Sequence, residues 1–205
     1  MLDAIRGLPG ITVTTADTGT GHVAPDEAIL VARAKRDRAA FADLYDRYLD
    51  RVYRFCVVRL GSRESAEDAT RLIFTKALDA LPACRDDAFR PWLFAIARNV
   101  VADCHRIACP LELLDAAYDV SDPAPRPVEL AERADDIRFV HALLTHLPPD
   151  QRDVVELRLA GLTGPEIAVT LGRGHGAIRI AQYRAYTRLR ALIDDSTAEE
   201  TRYDR

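Results

Sequence analysis

The stretch Phe89-Arg-Pro-Trp-Leu-Phe-Ala-Ile-Ala-Arg-Asn-Val-Val-Ala-Asp-Cys-His-Arg106 decides the fold, because its helical period divides it into two faces of different chemistry. Leu93, Ile96, Val100, Cys104 and Ile107 recur at i, i+3, i+7, i+11 and i+14, an apolar stripe that must be buried against other helices. Arg98, Asn99, Asp103, His105 and Arg106 share the rest of the cylinder, with the rings of Phe89, Trp92 and Phe94 clustered at its start. Flat rings, hydrogen-bond donors and positive charge on one surface are what single-stranded nucleic acid needs. A solvated polar face over a core tryptophan would give the same pattern, so the rest of the chain has to decide.

Upstream, Phe41, Leu44, Tyr45, Tyr48, Val52, Phe55 and Cys56 form a second stripe that ends at Gly61. Ser62 can cap the next helix, whose apolar face is Ala69, Ile73, Phe74, Ala77, Leu78 and Leu81, and the loop from Pro82 to Ala88 leads into the first stretch. Pro25-Asp26-Glu27 places proline and acid where a helix first turn favours them. These helices make one compact domain over residues 25–107. Residues 1–24, rich in Gly and Thr and without a period, read as a tail.

Downstream, Pro110, Pro123, Pro125 and Pro127 are expected to break any helix, and Glu112, Asp115, Asp119 and Asp122 make residues 108–127 an acidic linker. A second helical set over 128–194 begins with Ile137, Val140, Leu143, Leu144 and Leu147, and continues from Pro148-Pro149-Asp150 through Val154, Val155, Leu157 and Leu159. Thr163 and Glu166 then have capping-box spacing before a short helix, Pro165 to Leu171, which Gly172 and Gly174 stop. The next helix starts near Gly176 and carries Arg179, Arg184, Arg188 and Arg190 with no acid until Asp194. That order is the order of a helix-turn-helix, although a helical hairpin with a solvated basic face would share it. Residues 195–205 read as a second tail. The fold class is therefore all-α, two small helical domains joined by an acidic, proline-containing linker.

The 205 residues, 48% of them apolar, are enough for real cores, and a net charge of −4 gives the whole molecule no general attraction for polyanions. Any nucleic-acid contact has to come from local patches. No signal peptide is legible and no apolar run approaches the roughly 20 residues of a membrane helix, which points to a cytoplasmic protein. Cys56, Cys84, Cys104 and Cys109 are scattered, and Cys104, His105 and Cys109 lack the second ligand pair of a zinc site, so neither disulfide, metal nor cofactor is expected. No phosphate loop, nucleophile elbow or paired metal motif suggests an enzyme.

Taken together, the segments Phe41-Ala-Asp-Leu-Tyr-Asp-Arg-Tyr, Val52-Tyr-Arg-Phe, Ala66-Glu-Asp, Phe74-Thr-Lys-Ala, Phe89 to Asn99, and Leu147-Pro-Pro-Asp-Gln-Arg-Asp-Val-Val-Glu-Leu-Arg occur in the order and with the gaps of a known family. From about residue 38 to 193 the chain resembles the extracytoplasmic-function class of bacterial RNA polymerase sigma factors. The resemblance implies a subunit whose first domain binds the clamp helices of the largest polymerase subunit and captures bases of the melted minus-ten element. The second domain would read the duplex minus-thirty-five element and lie on the polymerase flap. Carried onto this sequence, the minus-ten set is Phe89, Arg90, Trp92, Arg98, Asn99, Asp103 and Arg106. The minus-thirty-five set is Arg173, His175, Arg179, Ile180, Tyr183, Arg184 and Thr187, and the polymerase set is Glu67, Asp68, Arg71, Leu72 and Phe74. Partners would be core RNA polymerase and promoter DNA, and many relatives are held inactive by an anti-sigma factor.

Two departures bear on activity. Arg71-Leu72 stands where the family usually has Gln-Glu, and Ile180, Ala181, Gln182, Tyr183, Tyr186 and Thr187 stand where basic and small polar residues are common. Fewer cations release fewer counterions, so weak nonspecific binding with a shallow salt dependence is expected. Two other readings stay open on these residues: a degenerate sigma-like module that binds an anti-sigma factor or polymerase without initiating, and a helix-turn-helix regulator independent of polymerase.

Overall fold

The computed structural model describes the backbone of residues 25–112 and 139–203, and the side chains of 26–106 and 139–194. The expected tail 1–24 and residues 113–127 of the expected linker lie outside the described residues. The described elements are all helical.

Helix α1 (Pro25–Arg36) carries Asp26 and Glu27 in its first turn. Glu27 is buried and accepts a 2.5 Å hydrogen bond from the Tyr48 hydroxyl, which ties α1 to helix α2 (Phe41–Leu60). Burial and this carboxylate both push the Tyr48 phenol well above its ordinary value, so it stays a donor at any physiological pH. The α2 stripe is buried as its period requires, except that Tyr45 is half-exposed and leans on Phe74 at 4.6 Å. Gly61 ends α2 in the left-handed region at φ 69°, and Ser62 caps helix α3 (Arg63–Ala80) by accepting from the Ser65 amide at 3.4 Å.

Helix α4 (Phe89–Glu112) packs on both. Its fully buried residues are Phe89, Leu93, Phe94, Ala97, Val100 and Val101, a broader face than the expected stripe, of which Ile96 and Cys104 are only half-buried. The difference comes from the aromatic rings, which turn inward: Phe94 meets Phe55 edge-on at 5.6 Å and Phe89 meets Tyr48 at 5.4 Å. α4 also runs through Pro110, which was expected to break it. The amide that Pro110 lacks would bond within the last turns of a helix that ends at Glu112, so at most one backbone hydrogen bond near its end is lost.

The second set comprises α5 (139–145), α6 (Pro149–Leu159), α7 (Gly164–Leu171) and α8 (His175–Tyr203). The expected capping box is formed: the Thr163 hydroxyl accepts from the Glu166 amide, and the Glu166 carboxylate accepts from the Thr163 amide at 2.7 Å. Gly172 closes α7 at φ 62°. α8 continues as backbone helix to Tyr203, through most of the stretch expected as a tail, because Ser196-Thr-Ala-Glu-Glu-Thr-Arg contains no Gly or Pro to stop it.

Leu144, Leu147, Val155, Ala185 and Leu189 form a core within the second set. Val154, Leu157, Leu162, Ile167, Ile178 and Ala181 instead continue the core of the first domain. The two helical sets are closed on each other.

Candidate nucleic-acid interface

Closure brings the polar face of α4 against α6 and α7. Asp153 on α6 is buried and bridges two guanidiniums of the first domain, with Oδ1 2.7 Å from Arg59 Nη1 and Oδ2 2.9 Å from Arg98 Nε. Glu156, one turn on and also buried, accepts from the same Arg59 Nη1. At the start of α4, Arg90 Nε lies 3.0 Å from Glu166 Oε1 and its Nη1 donates to the Gly161 carbonyl at 3.4 Å. Thr170 Oγ1 reaches the Pro91 carbonyl at 3.2 Å, and His141 Nδ1 lies 2.7 Å from the Val58 carbonyl, where it must carry the proton. Three cations of one domain thus face three carboxylates of the other.

Burial pushes the Glu156 carboxyl up to about 7 against the lowering pull of Arg59, and Asp153 beside it adds to the rise while Arg152 opposes it. The native carboxyl therefore holds its proton more tightly than the unfolded one, and the stability this contributes is lost as pH rises through about 7. The urea midpoint is expected to fall between about pH 4.5 and about pH 7, and Glu156→Gln is expected to flatten that fall. An equally steep fall in Glu156→Gln would assign the titration elsewhere.

The minus-ten candidates are divided by this arrangement. Phe89 is fully buried, packed on Trp92 at 5.7 Å and on Tyr48, so it presents no ring to a base. Trp92 is half-buried; Arg90 and Arg98 are held in the interdomain pairs, with Arg90 only 18% exposed. Asn99 and Arg106 are exposed further along α4, with the half-exposed Asp103 accepting from Arg106. The sequence did not single out Arg59, Asp153, Glu156 or the interdomain role of Glu166. No local signal marked Asp153 and Glu156, whose spacing on α6 is also that of a solvated edge.

The minus-thirty-five candidates fall together. Ile178, Ala181, Ala185 and Leu189 bury one side of α8, which turns Arg179, Ile180, Tyr183, Arg184 and Thr187 outward. Gly176, Arg179, Ile180 and Tyr183 line one shallow cleft, and Ile180 and Tyr183 are the large apolar side chains left open there, at 55% and 73% exposure. Arg173 and His175 sit exposed at the turn, where the His175 ring lies over Gly164 so closely that a Cβ would come within 2.9 Å of Nε2. Gln182 is half-buried between Arg158 at 3.3 Å and the Tyr186 hydroxyl at 3.4 Å. In the polymerase set, Arg71 pairs with Asp68 and Glu67 on the outer face of α3, and Leu72 is exposed beside them. Phe74 is buried against Phe41 and Tyr45, which makes it a core residue rather than a contact.

Residues 44–107 match the family Sigma-70 region 2, and residues 140–189 match Sigma-70, region 4. The ECF RNA polymerase sigma factor SigD of Mycobacterium tuberculosis is 33% identical over 179 residues, which are 82% of this chain and 83% of SigD. The chain belongs to the extracytoplasmic-function sigma factors. BldN, an ECF RNA polymerase sigma factor of Streptomyces coelicolor, is 37% identical over 81% of this sigma factor, a match that spans 65% of BldN's own length. Among solved structures, CnrH in complex with the cytosolic domain of CnrY covers 82% of this sigma factor and 97% of the CnrH chain at 25% identity, with a TM-score of 0.66. The two matched regions correspond to the two helical sets, and the charged interface lies between them. Among the described residues of this sigma factor, no helix is long and apolar enough to cross a membrane.

Proposed function

We propose that this chain directs RNA polymerase to promoters by using α4 for the melted minus-ten strand and α8 for the duplex minus-thirty-five element. The observation that carries the second half is the outward face of α8, which follows a glycine turn and presents Arg179, Arg184, Ile180 and Tyr183 together. The guanidiniums suit phosphate or guanine edges, and the apolar pair suits the methyl groups of thymine in the major groove. Asn99 and Arg106 supply exposed donors on α4, and Arg90 and Arg98 join them once the domains part. The first domain would meet the clamp helices through Glu67, Asp68, Arg71 and Leu72. Residues 25–107 would be the polymerase-binding domain and 128–194 the duplex-reading one. The chain acts in the cytoplasm without chemistry of its own, since phosphodiester formation belongs to the polymerase.

Transcription in vitro with purified core polymerase on a genomic fragment library tests this reading: start sites should share two spaced upstream elements. Tyr183→Ala and Ile180→Ala are each expected to weaken binding to the selected upstream duplex about fivefold, and deoxyuridine in place of thymidine should weaken the wild type similarly. Unchanged affinity in both variants would move the reading surface off this face of α8.

A second reading, a sigma-like module that binds without initiating, is favoured by Arg71-Leu72 on the polymerase face. Changing the pair to Gln-Glu is expected to tighten core binding several-fold if it is a weakened contact. Loss of binding would make the native pair a tuned contact, and specific starts in the library experiment would remove the second reading.

A further inference from the structure

Three side chains form a hydrogen-bonded chain on the flank of α8, between its buried and outward sides. Arg158, near the end of α6, donates through Nη1 to the Leu162 carbonyl at 3.2 Å and through Nη2 to Gln182 Oε1 at 3.3 Å. Gln182 Nε2 donates in turn to the Tyr186 hydroxyl at 3.4 Å, one turn along α8. Chemistry fixes that order: a guanidinium only donates, so it takes the amide oxygen and turns the amide nitrogen toward Tyr186. Burial holds the Tyr186 phenol above its ordinary value against the pull of Arg158 and Gln182, so the hydroxyl stays neutral. All three residues are half-buried, and Gln182 and Tyr186 are both positions at which α8 departs from its family.

The rest of the helix leaves such a tie necessary. Over the length that carries Arg179, Ile180, Tyr183, Arg184 and Thr187, the buried side of α8 is Ile178, Ala181 and Ala185. Apolar burial has no direction, and alanines offer little shape to interlock, so this side holds α8 down without setting its rotation. Hydrogen bonds do have direction. Outer side-chain atoms lie about 5–6 Å from a helix axis, so a turn of about 20° moves them about 2 Å, enough to break a hydrogen bond to a base edge. We infer that Arg158 is a positioning residue for promoter recognition: through Gln182 and Tyr186 it sets the rotation of α8, and thereby which base edges the outward side chains reach. This rests on the reading of α8 as the duplex surface. A second point of fixation lies two turns earlier, where the His175 ring sits over Gly164, and a Cβ there would come within 4.0 Å of Arg158 Nη2 as well. Two such points define both the rotation of a helix and its slide. At 3.3 and 3.4 Å the bonds to Gln182 and Tyr186 are long, so they contribute direction more than stability.

The test uses the full chain with core polymerase. A promoter taken from the wild-type start sites has its upstream element randomised, and transcript yields report how strongly each position discriminates between bases. Gln182→Leu removes both hydrogen bonds of the amide, and Tyr186→Phe removes a single oxygen. Gln182→Leu is expected to lower discrimination about threefold at several positions at once, and Tyr186→Phe about twofold, with urea midpoints equal to the wild type's or higher. Unchanged discrimination in both variants overturns the positioning role. A loss confined to one position in Gln182→Leu also overturns it, because Gln182 would then be reading a base itself. Tyr183→Ala and Ile180→Ala separate the two levels. If they change the selected element while the flank variants do not, only the positioning role falls; if they too leave it unchanged, the reading of α8 falls first. Circular dichroism checks the fold, and if Gln182→Leu loses helix, Tyr186→Phe decides.

Discussion

Replacing Arg59 by alanine is expected to destabilise the chain by about 3–5 kcal/mol, read from urea unfolding, because it strips the buried Glu156 carboxyl of its cation and leaves Asp153 with Arg98 alone. Arg59 is 15% exposed, and Asp153 and Glu156 are 10% and 2% exposed, so water does not replace the lost guanidinium. Arg59→Lys is expected to fall between, since an ammonium keeps the charge but not the planar guanidinium head packed between the two acids. Adding Glu156→Gln to Arg59→Ala should recover part of the loss, because a neutral amide needs no cation where the buried Glu156 carboxyl has lost its own. A cost below about 1 kcal/mol for Arg59→Ala would mean that these acids are hydrated and the domains stand apart in solution.

Phe89→Ala should cost a similar amount, about 3–5 kcal/mol, for a different reason. The ring is fully buried between Tyr48 and Trp92, and its removal opens a cavity where α1, α2 and α4 meet. Phe89→Leu fills most of that volume and is expected to cost about 1.5 kcal/mol or less while leaving promoter opening intact. Those two readouts separate a core ring from a base-stacking one. A leucine variant of native stability that failed to open promoters would return Phe89 to the strand surface.

Placing Phe89, Trp92 and Phe94 together was right as a cluster, but Phe89 and Phe94 lie wholly in the core while Trp92 is half-buried. A helical period says which residues share a side but not which side a large ring takes when two neighbouring helices both offer aromatic partners. Phe55 and Tyr48 supplied them, and the rings went inward. The same limit governed α6: its sequence gives Asp153 and Glu156 the spacing of a solvated polar edge, and only the packing of α6 on α2 and α4 makes them buried ligands of Arg59 and Arg98.

Local chemistry carried what it could. The Ser62 cap, the left-handed glycine after α2, the Thr163 and Glu166 capping box and the outward face of α8 depend on residues within a turn or two of each other, so they were legible along the chain. Helix identity followed from them, and the order of the two sigma regions from the family resemblance of the quoted segments. The pairing of Asp153 with Arg59 and Arg98, and of Glu166 with Arg90, spans a separation in sequence that no period or capping rule reports. Only the tertiary structure decided that the two domains close. Complementary charge and apolar surface meet there through the fold in space, so the pairing of the α4 guanidiniums is a property of the packed molecule and not of any one stretch of it.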